Sequence, residues 1–277
     1  VFTATRGLTA KHGKYRVFNS PLAESSIIGT AIGMSVLGWK PIVEIQFGDY
    51  IWTAMMQIRN EMATMRYRSN GNWTSSFVIR VPVGGYIHGS LCHSQSIDGY
   101  FTHLPGLLIA YPSNASDAKG LLKTACRIDE PVIFMEHKGL YRQGFASSPE
   151  PNNDYLLPFG QGTIVQKGSD ITIVTWGALV QIFLQEKLTD SPLDMELILK
   201  SVSKTNRVIV AHEDNLTGGF GGEIASRIAE EGFEYLDAPV KRVASKDSPI
   251  AYASVLENVI LVQTDWIIKS IKEVNDY

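Results

Sequence analysis

Glu24 stands alone in "SPLAESSIIGTAIGMSV", among small and apolar residues, and the next cation in sequence is Lys40. A carboxyl in such surroundings loses solvation, and its pKa rises. It can then share a proton with a ring nitrogen of a bound molecule. The same residue also fits the first turn of the helix that follows, where an acid is commonplace. Spacing alone favours the ordinary helix-start reading.

His88 and His93 lie five residues apart in the Gly-rich "GGYIHGSLCHSQS". Imidazole titrates near neutrality, so either could transfer a proton or stabilise a developing anion in a cleft. The plain alternative is a surface loop with hydrogen-bonding histidines. Zinc is a third reading, weakened because no cysteine or carboxylate lies at ligand spacing. Gln46 and Tyr50 follow "PIVEIQF", at the C-terminal end of a candidate strand, where α/β sheets bind ligands. Gln offers a donor and an acceptor, and Tyr offers an aromatic face. Tyr50 equally fits core packing beside a strand end.

"DNLTGGFGGE" (214–223) precedes a helix and resembles a phosphate loop, but Ile224 stands where the last Gly of G-x-G-x-x-G belongs, and no Gly-Lys-Ser/Thr follows. It reads as a tight turn into a helix, at an interface. No G-x-S-x-G elbow occurs.

These residues need a scaffold, and the chain alternates β-rich and helical runs. Strands are expected at 41–47, 75–83, 106–112 and 131–137, with helices at 51–68 and 113–127, the second behind capping residues. After 137 the composition shifts to Pro, Gly, Asn and Ser, a linker signature. The alternation then resumes with "DITIVTWG", "LDMELILKSVSKT", "RVIVAHED" and "GGEIASRIAEEGF". Strands separated by helices imply parallel pairing, so the expected fold is α/β in two domains, 1–140 and 161–277, joined by a 141–160 linker. The chain has 277 residues, ample for two domains. A net charge of −3 argues against a nucleic-acid surface. No apolar run reaches the length of a membrane span. The opening residues lack the apolar core of a secretory signal. Cys92 and Cys126 give neither a disulfide framework nor a metal spacing. The composition reads as soluble and intracellular.

One stretch is too short. After "ITIVTWG" the twenty residues "ALVQIFLQEKLTDSPLDMEL" must hold a helix, a return strand and the start of the next helix, which is too little chain for a parallel crossover. The start at Val1 reads as the inside of a loop. Both features raise the expectation that segments are missing, and an intact mass well above 30.6 kDa would show it.

"FNSPLAESSIIGTAIGMSVLGWKPIVEIQFGDYIWTAMMQIRNEMATMRYRS", "IHGSLCHSQS", "HLPGLLIAYPSNASDAKGLLKTA", "DEPVIFMEHKGLYR", "VTWGALVQ", "HEDNLTGGFGGEIASRIAEE" and "LDAPVKRVASKDSPI" together resemble the beta subunits of thiamine-diphosphate-dependent 2-oxo acid dehydrogenases. "EIQFGDY" and "MRYRS" look more like the branched-chain (2-oxoisovalerate) enzyme than the pyruvate enzyme. The resemblance implies a transketolase-like pyrimidine-binding domain followed by a transketolase C-terminal-like domain. It implies that Glu24 hydrogen-bonds the ring nitrogen of the cofactor's aminopyrimidine, with Leu22, Gln46 and Tyr50 lining that pocket. It places His93 in the reductive acylation of lipoyl groups, with His88 close by. A structural potassium ion would lie near Phe77 and Val78 and near Ala125 to Glu130. There the usual Asp ligand is replaced by Ile128, with Asp129 one place on.

The resemblance also puts magnesium and the diphosphate on a separate alpha subunit, in an α2β2 heterotetramer. This chain has no G-D-G…N-N motif. The second domain would serve beta–beta packing and docking of the acyltransferase core, through the core's subunit-binding domain. The resemblance implies cytoplasm in a bacterium and mitochondrial matrix in a eukaryote. Oxidative decarboxylation of branched-chain 2-oxo acids is the expected activity. A pyruvate or acetoin enzyme, and an inactive structural subunit, are the alternatives.

Overall fold

Val78–Val83 (β2) is buried along its whole length except at Arg80, as a strand flanked on both sides and covered on both faces must be. The computed structural model describes residues 3–183 and 193–277. In it β2 lies between β1 (Ile42–Glu44) and β4 (Val132–His137), and β3 (Leu108–Ala110) closes the far edge. All pairs are parallel, with Val78 opposite both Ile42 and Val132. A second parallel sheet has the order β5 (Thr172–Thr175), β6 (Val208–Asn215), β7 (Lys241–Ser245). The expected α/β architecture, with parallel sheets and intervening helices, is observed.

The first sheet is flanked by α2 (Glu24–Val36), α3 (Met65–Arg68), α4 (Asp98–Thr102) and α5 (Ala115–Ala125), behind a short exposed α1 (Leu8–His12). Asn114 caps α5 by accepting from the Asp117 N–H. The second sheet carries α6 (Ala178–Phe183), α7 (Met195–Thr205), α8 (Gly221–Glu231), α9 (Ser254–Ile260) and α10 (Thr264–Asn275). Asp194 caps α7 in the same way. Among the described residues no helix is long and apolar enough to cross a membrane. The shortfall expected near 181–192 falls largely on 184–192, outside the described residues.

The single helix expected over 51–68 is a correction. The chain forms a 3-10 segment at Gly48–Ala54, a π-helical segment at Gln57–Met62, and only then α3. The entry is tight: a Cβ on Gly48 would lie 2.8 Å from Val83 and 2.9 Å from Ile97. The widened π turn then keeps Ile51, Ala54, Ile58, Met62 and Met65 all buried. Core packing sets the helix type here.

Residues 147–171 hold no helix or strand, yet they are tied down. Ser148 Oγ accepts the Ser116 N–H at 2.7 Å, Lys119 Nζ donates to Pro151 O at 3.0 Å, and Asp194 accepts the Gly162 N–H at 2.9 Å. One apolar cluster runs from Ile28 and Met135 through Trp176 to Val210 and Ile224, joining the two sheets.

Candidate active site

Helix α2 precedes β1 in a parallel αβ unit, so its first residues lie at the C-terminal edge of the first sheet. Glu24 is its first residue, half-buried, behind an Ala23 N-cap that makes no side-chain bond. The helix-start reading and the functional reading therefore describe one position. The Thr53 hydroxyl lies 3.2 Å from Glu24 Oε2 and 3.3 Å from Tyr50 O, and its single proton serves one or the other. Ser25 Oγ donates to Thr53 O, stitching α2 to the 3-10 turn. Thr53 was not singled out from sequence. Its place one turn after Tyr50 is the signal that would have found it.

Gln46, Tyr50 and Leu22 are all exposed, and Tyr50 is linked to Glu24 through Thr53. Leu22 is 78% exposed and Tyr50 37%. Tyr50 is therefore not core packing. Its hydroxyl lies 3.1 Å from His93 Nε2, and Phe47 meets the same imidazole edge-on at 4.6 Å. Phe47, Tyr50 and His93 form one aromatic group fed by two loops, the turn after β1 and the long turn after β2.

A charged pair lies beneath them. Lys138 is 5% exposed, and its Nζ has no hydrogen-bond partner although it sits 5.8 Å over the Phe47 ring. Burial lowers its pKa to about 8, against the pull of Asp49 and Glu213. Both Asp49 carboxylate oxygens are buried without a well-formed hydrogen bond. Burial raises the Asp49 pKa, partly offset by Lys138. Neither residue carried a sequence signal, since the two meet only in the fold.

His88 does not join the group. Its Nδ1 lies 2.6 Å from Glu257 Oε2, on the second domain. The zinc reading is corrected accordingly. The two histidines face different partners, and no group of three or more His, Cys, Asp or Glu among the described residues could hold a metal. Cys92 and Cys126 are free thiols. "DNLTGGFGGE" is a turn into α8, and its glycines have a packing reason. A Cβ on Gly221 would lie 2.2 Å from the buried His212 ring, and one on Gly219 would lie 2.3 Å from Asn215 O.

Two of the carbonyls named for potassium already accept hydrogen bonds. The carbonyl of Ile128 already accepts from Lys40 Nζ at 2.7 Å, and that of Phe77 accepts the Val132 N–H at 3.0 Å. Arg66 donates to Asp129 O and pairs with Glu130 at 3.2 Å. Val78 and Ala125 are buried beside this turn. Lys40 lies 3.7 Å from Asp129 and Arg66 lies 3.2 Å from Glu130, so the cations and carboxylates of this turn balance one another.

Residues 1–143 match the family "Transketolase, pyrimidine binding domain", and residues 160–267 match "Transketolase, C-terminal domain". A solved "Split gene transketolase, inactive beta4 tetramer" shares the fold, with a TM-score of 0.75 over 100% of this chain and 89% of that one, at 22% identity. Fold and domain matches together define a two-domain chain of the transketolase type.

The nearer relatives narrow the class. The 2-oxoisovalerate dehydrogenase subunit beta of Bacillus subtilis (strain 168) is 42% identical over 293 residues, covering 100% of this chain and 89% of the relative. The pyruvate dehydrogenase E1 component subunit beta of the same organism is 36% identical over 292 residues, with the same coverage. The chain belongs to the beta-subunit family of 2-oxo acid dehydrogenases.

Proposed function

We propose that this chain is the beta subunit of a branched-chain 2-oxo acid dehydrogenase, acting with an alpha subunit in an α2β2 heterotetramer. The observation that carries the reading is the open half-site at the sheet edge, where the Glu24 carboxylate is held by Thr53 beside the exposed faces of Tyr50 and Leu22. That set suits an aminopyrimidine: a carboxyl for a ring nitrogen, a flat aromatic face, and an apolar contact. Thiamine diphosphate, when bound, supplies the nucleophilic carbon and the electron sink for loss of carbon dioxide. Glu24 holds the proton shared with the ring nitrogen. Tyr50, Leu22 and Gln46 orient the ring. Exposed Leu22, Tyr50, Trp52 and Met56 form an apolar rim that suits cover by a second subunit, which would bring magnesium and the diphosphate contacts.

His93, held by Tyr50, donates the proton taken up by the lipoyl sulfur that leaves the disulfide during acyl transfer. The acyl acceptor is a lipoyl domain of the acyltransferase core, whose subunit-binding domain docks on the second domain. The higher identity to a 2-oxoisovalerate subunit than to a pyruvate subunit of the same organism supports the branched-chain substrate. The pyruvate relative keeps pyruvate as the second reading. Side-by-side turnover of 2-oxoisovalerate and pyruvate by the assembled enzyme separates the two. We expect 2-oxoisovalerate to give the higher kcat/KM, and a preference for pyruvate rejects the branched-chain assignment.

A further inference from the structure

The turn from β2 to His93 does not rest in a relaxed backbone. Tyr86, His88 and Ser90 have φ of 58, 56 and 65°, a left-handed region that side chains other than glycine rarely adopt. Three groups from the second domain hold it there. Glu213 Oε1 accepts the Gly85 N–H at 2.6 Å. Glu257 Oε1 accepts the His88 N–H at 3.2 Å, and its other oxygen makes the close contact with the His88 ring. The Tyr86 hydroxyl donates to Val262 O at 2.9 Å.

These anchors are themselves fixed. The second oxygen of Glu213 lies 2.6 Å from His137 Nε2. His137 Nδ1 accepts the Gly139 N–H at 3.1 Å, so the ring proton sits on Nε2 and donates to Glu213. Glu257 is a carboxylate on α9 with a side chain only 1% exposed, and its one oxygen of good hydrogen-bond geometry is spent on the His88 N–H. Buried charge is retained at a cost unless it is paired, and here the pairing is with the loop. Burial, then the charges of Glu213 and Glu257, pushes the Tyr86 phenol well up, so it stays a donor.

We propose that the second domain grips the His93 loop, with Glu257 as a positioning residue for acyl transfer. The inference rests on the role given above to His93. Strained backbone persists only where its surroundings over-determine it. Released from Glu257, the loop relaxes, and His93 leaves Tyr50 and Phe47.

The test compares wild type, Glu257→Ala, Glu257→Gln and His93→Ala in the assembled enzyme. Hydrogen exchange is read at residues 84–93. Decarboxylation with an artificial electron acceptor and acyl transfer to a lipoyl domain are measured in parallel. For Glu257→Ala we expect loop exchange to quicken about tenfold or more. Acyl transfer should fall about tenfold while decarboxylation stays within about twofold, because displacing an aligned group by about 1 Å suffices for such losses. Gln keeps an acceptor for the His88 N–H and should restore most of both. If Glu257→Ala fails to fold, Tyr86→Phe serves, because it removes the hydroxyl that anchors the loop to Val262 O while keeping the ring. Unchanged loop exchange overturns the grip whatever His93 does. Faster exchange with equal loss, or no loss, in both steps overturns the positioning role. His93→Ala then shows whether the role of His93 fell with it.

Discussion

Asp98 ties the two domains together through a proton, and its removal should be visible in the pH dependence of stability. The side chain starts α4 and is fully buried, with one oxygen accepting the Trp176 indole N–H at 2.9 Å and the other without a partner. Burial, then the charge of neighbouring Asp214, raises its pKa to about 8, and burial raises Asp214 to about 6. His212, stacked on Trp176 at 5.5 Å, is pushed down to about 4 by burial and then by Arg242. The signs differ. A carboxyl raised in the folded state binds its proton more tightly there, so its contribution is present at low pH and lost as pH rises towards the folded pKa. A histidine lowered in the folded state contributes fully above its unfolded value of 6.5 and loses that as pH falls. Lys138, lowered to about 8, relieves its penalty only above that pH.

Between pH 6.5 and 8, therefore, Asp98 is the member of this group that still titrates. At about 1.4 kcal/mol per pH unit, that window removes on the order of 1–2 kcal/mol of stability. A loss of that size lowers the unfolding midpoint of a chain this long by about 2–4 °C. Asp98→Asn keeps the acceptor for Trp176 and cannot ionise. Thermal unfolding of the assembled protein, wild type against Asp98→Asn, should show a falling midpoint for wild type and a flat one for the variant. Parallel profiles would refute the assignment of the slope to Asp98.

Three further outcomes follow from the site and the sheet. Tyr50→Phe removes the hydroxyl 3.1 Å from His93 and keeps the ring, so acyl transfer should drop about 3- to 10-fold, the worth of one hydrogen bond, with cofactor affinity within about twofold. A large loss of affinity with normal transfer would contradict this. Arg80 bonds Glu136 bidentately at 2.6 and 2.7 Å and Glu44 at 3.0 Å across three strands. Arg80→Ala strands two partly buried carboxylates and should cost about 3 kcal/mol in chemical denaturation; a change below about 1 kcal/mol would count against it. Exchanging potassium for sodium should leave turnover and midpoint unchanged, because Lys40 and Arg66 already serve that turn. A clear potassium-dependent rise in midpoint would restore the ion site.

The parts of this protein legible in sequence are those specified locally. The β-branched run of β2, broken only by Arg80 and Pro82, and the Asn114 cap of α5 announce themselves within ten residues. The segment 51–68 does not. Its apolar spacing suits a helix, but the jam of Gly48 against Val83 and Ile97 is a tertiary fact that changes the winding. The site divides the same way. Glu24, Gln46, Tyr50 and His93 are placed by strand ends and loop composition. The partners that hold and tune them are not: the charge of Lys138 acts on Asp49 from a distant point in the chain, and Glu257 reaches His88 from 169 residues away. The glycines of 218–222 read as a failed phosphate loop because what constrains Gly219 and Gly221, the buried His212 ring in the preceding strand, is a packing fact that motif spacing does not carry.

The account turns on Glu24 as the acid at the cofactor ring, and Glu24→Gln tests it most directly. Gln keeps the shape and an acceptor for Thr53 while removing the exchangeable proton. The α2β2 enzyme should assemble normally with this variant, while decarboxylation of 2-oxoisovalerate with thiamine diphosphate and magnesium falls at least about 100-fold, the scale of one lost acid–base group. Normal assembly with near-wild-type turnover would contradict the assignment of this half-site.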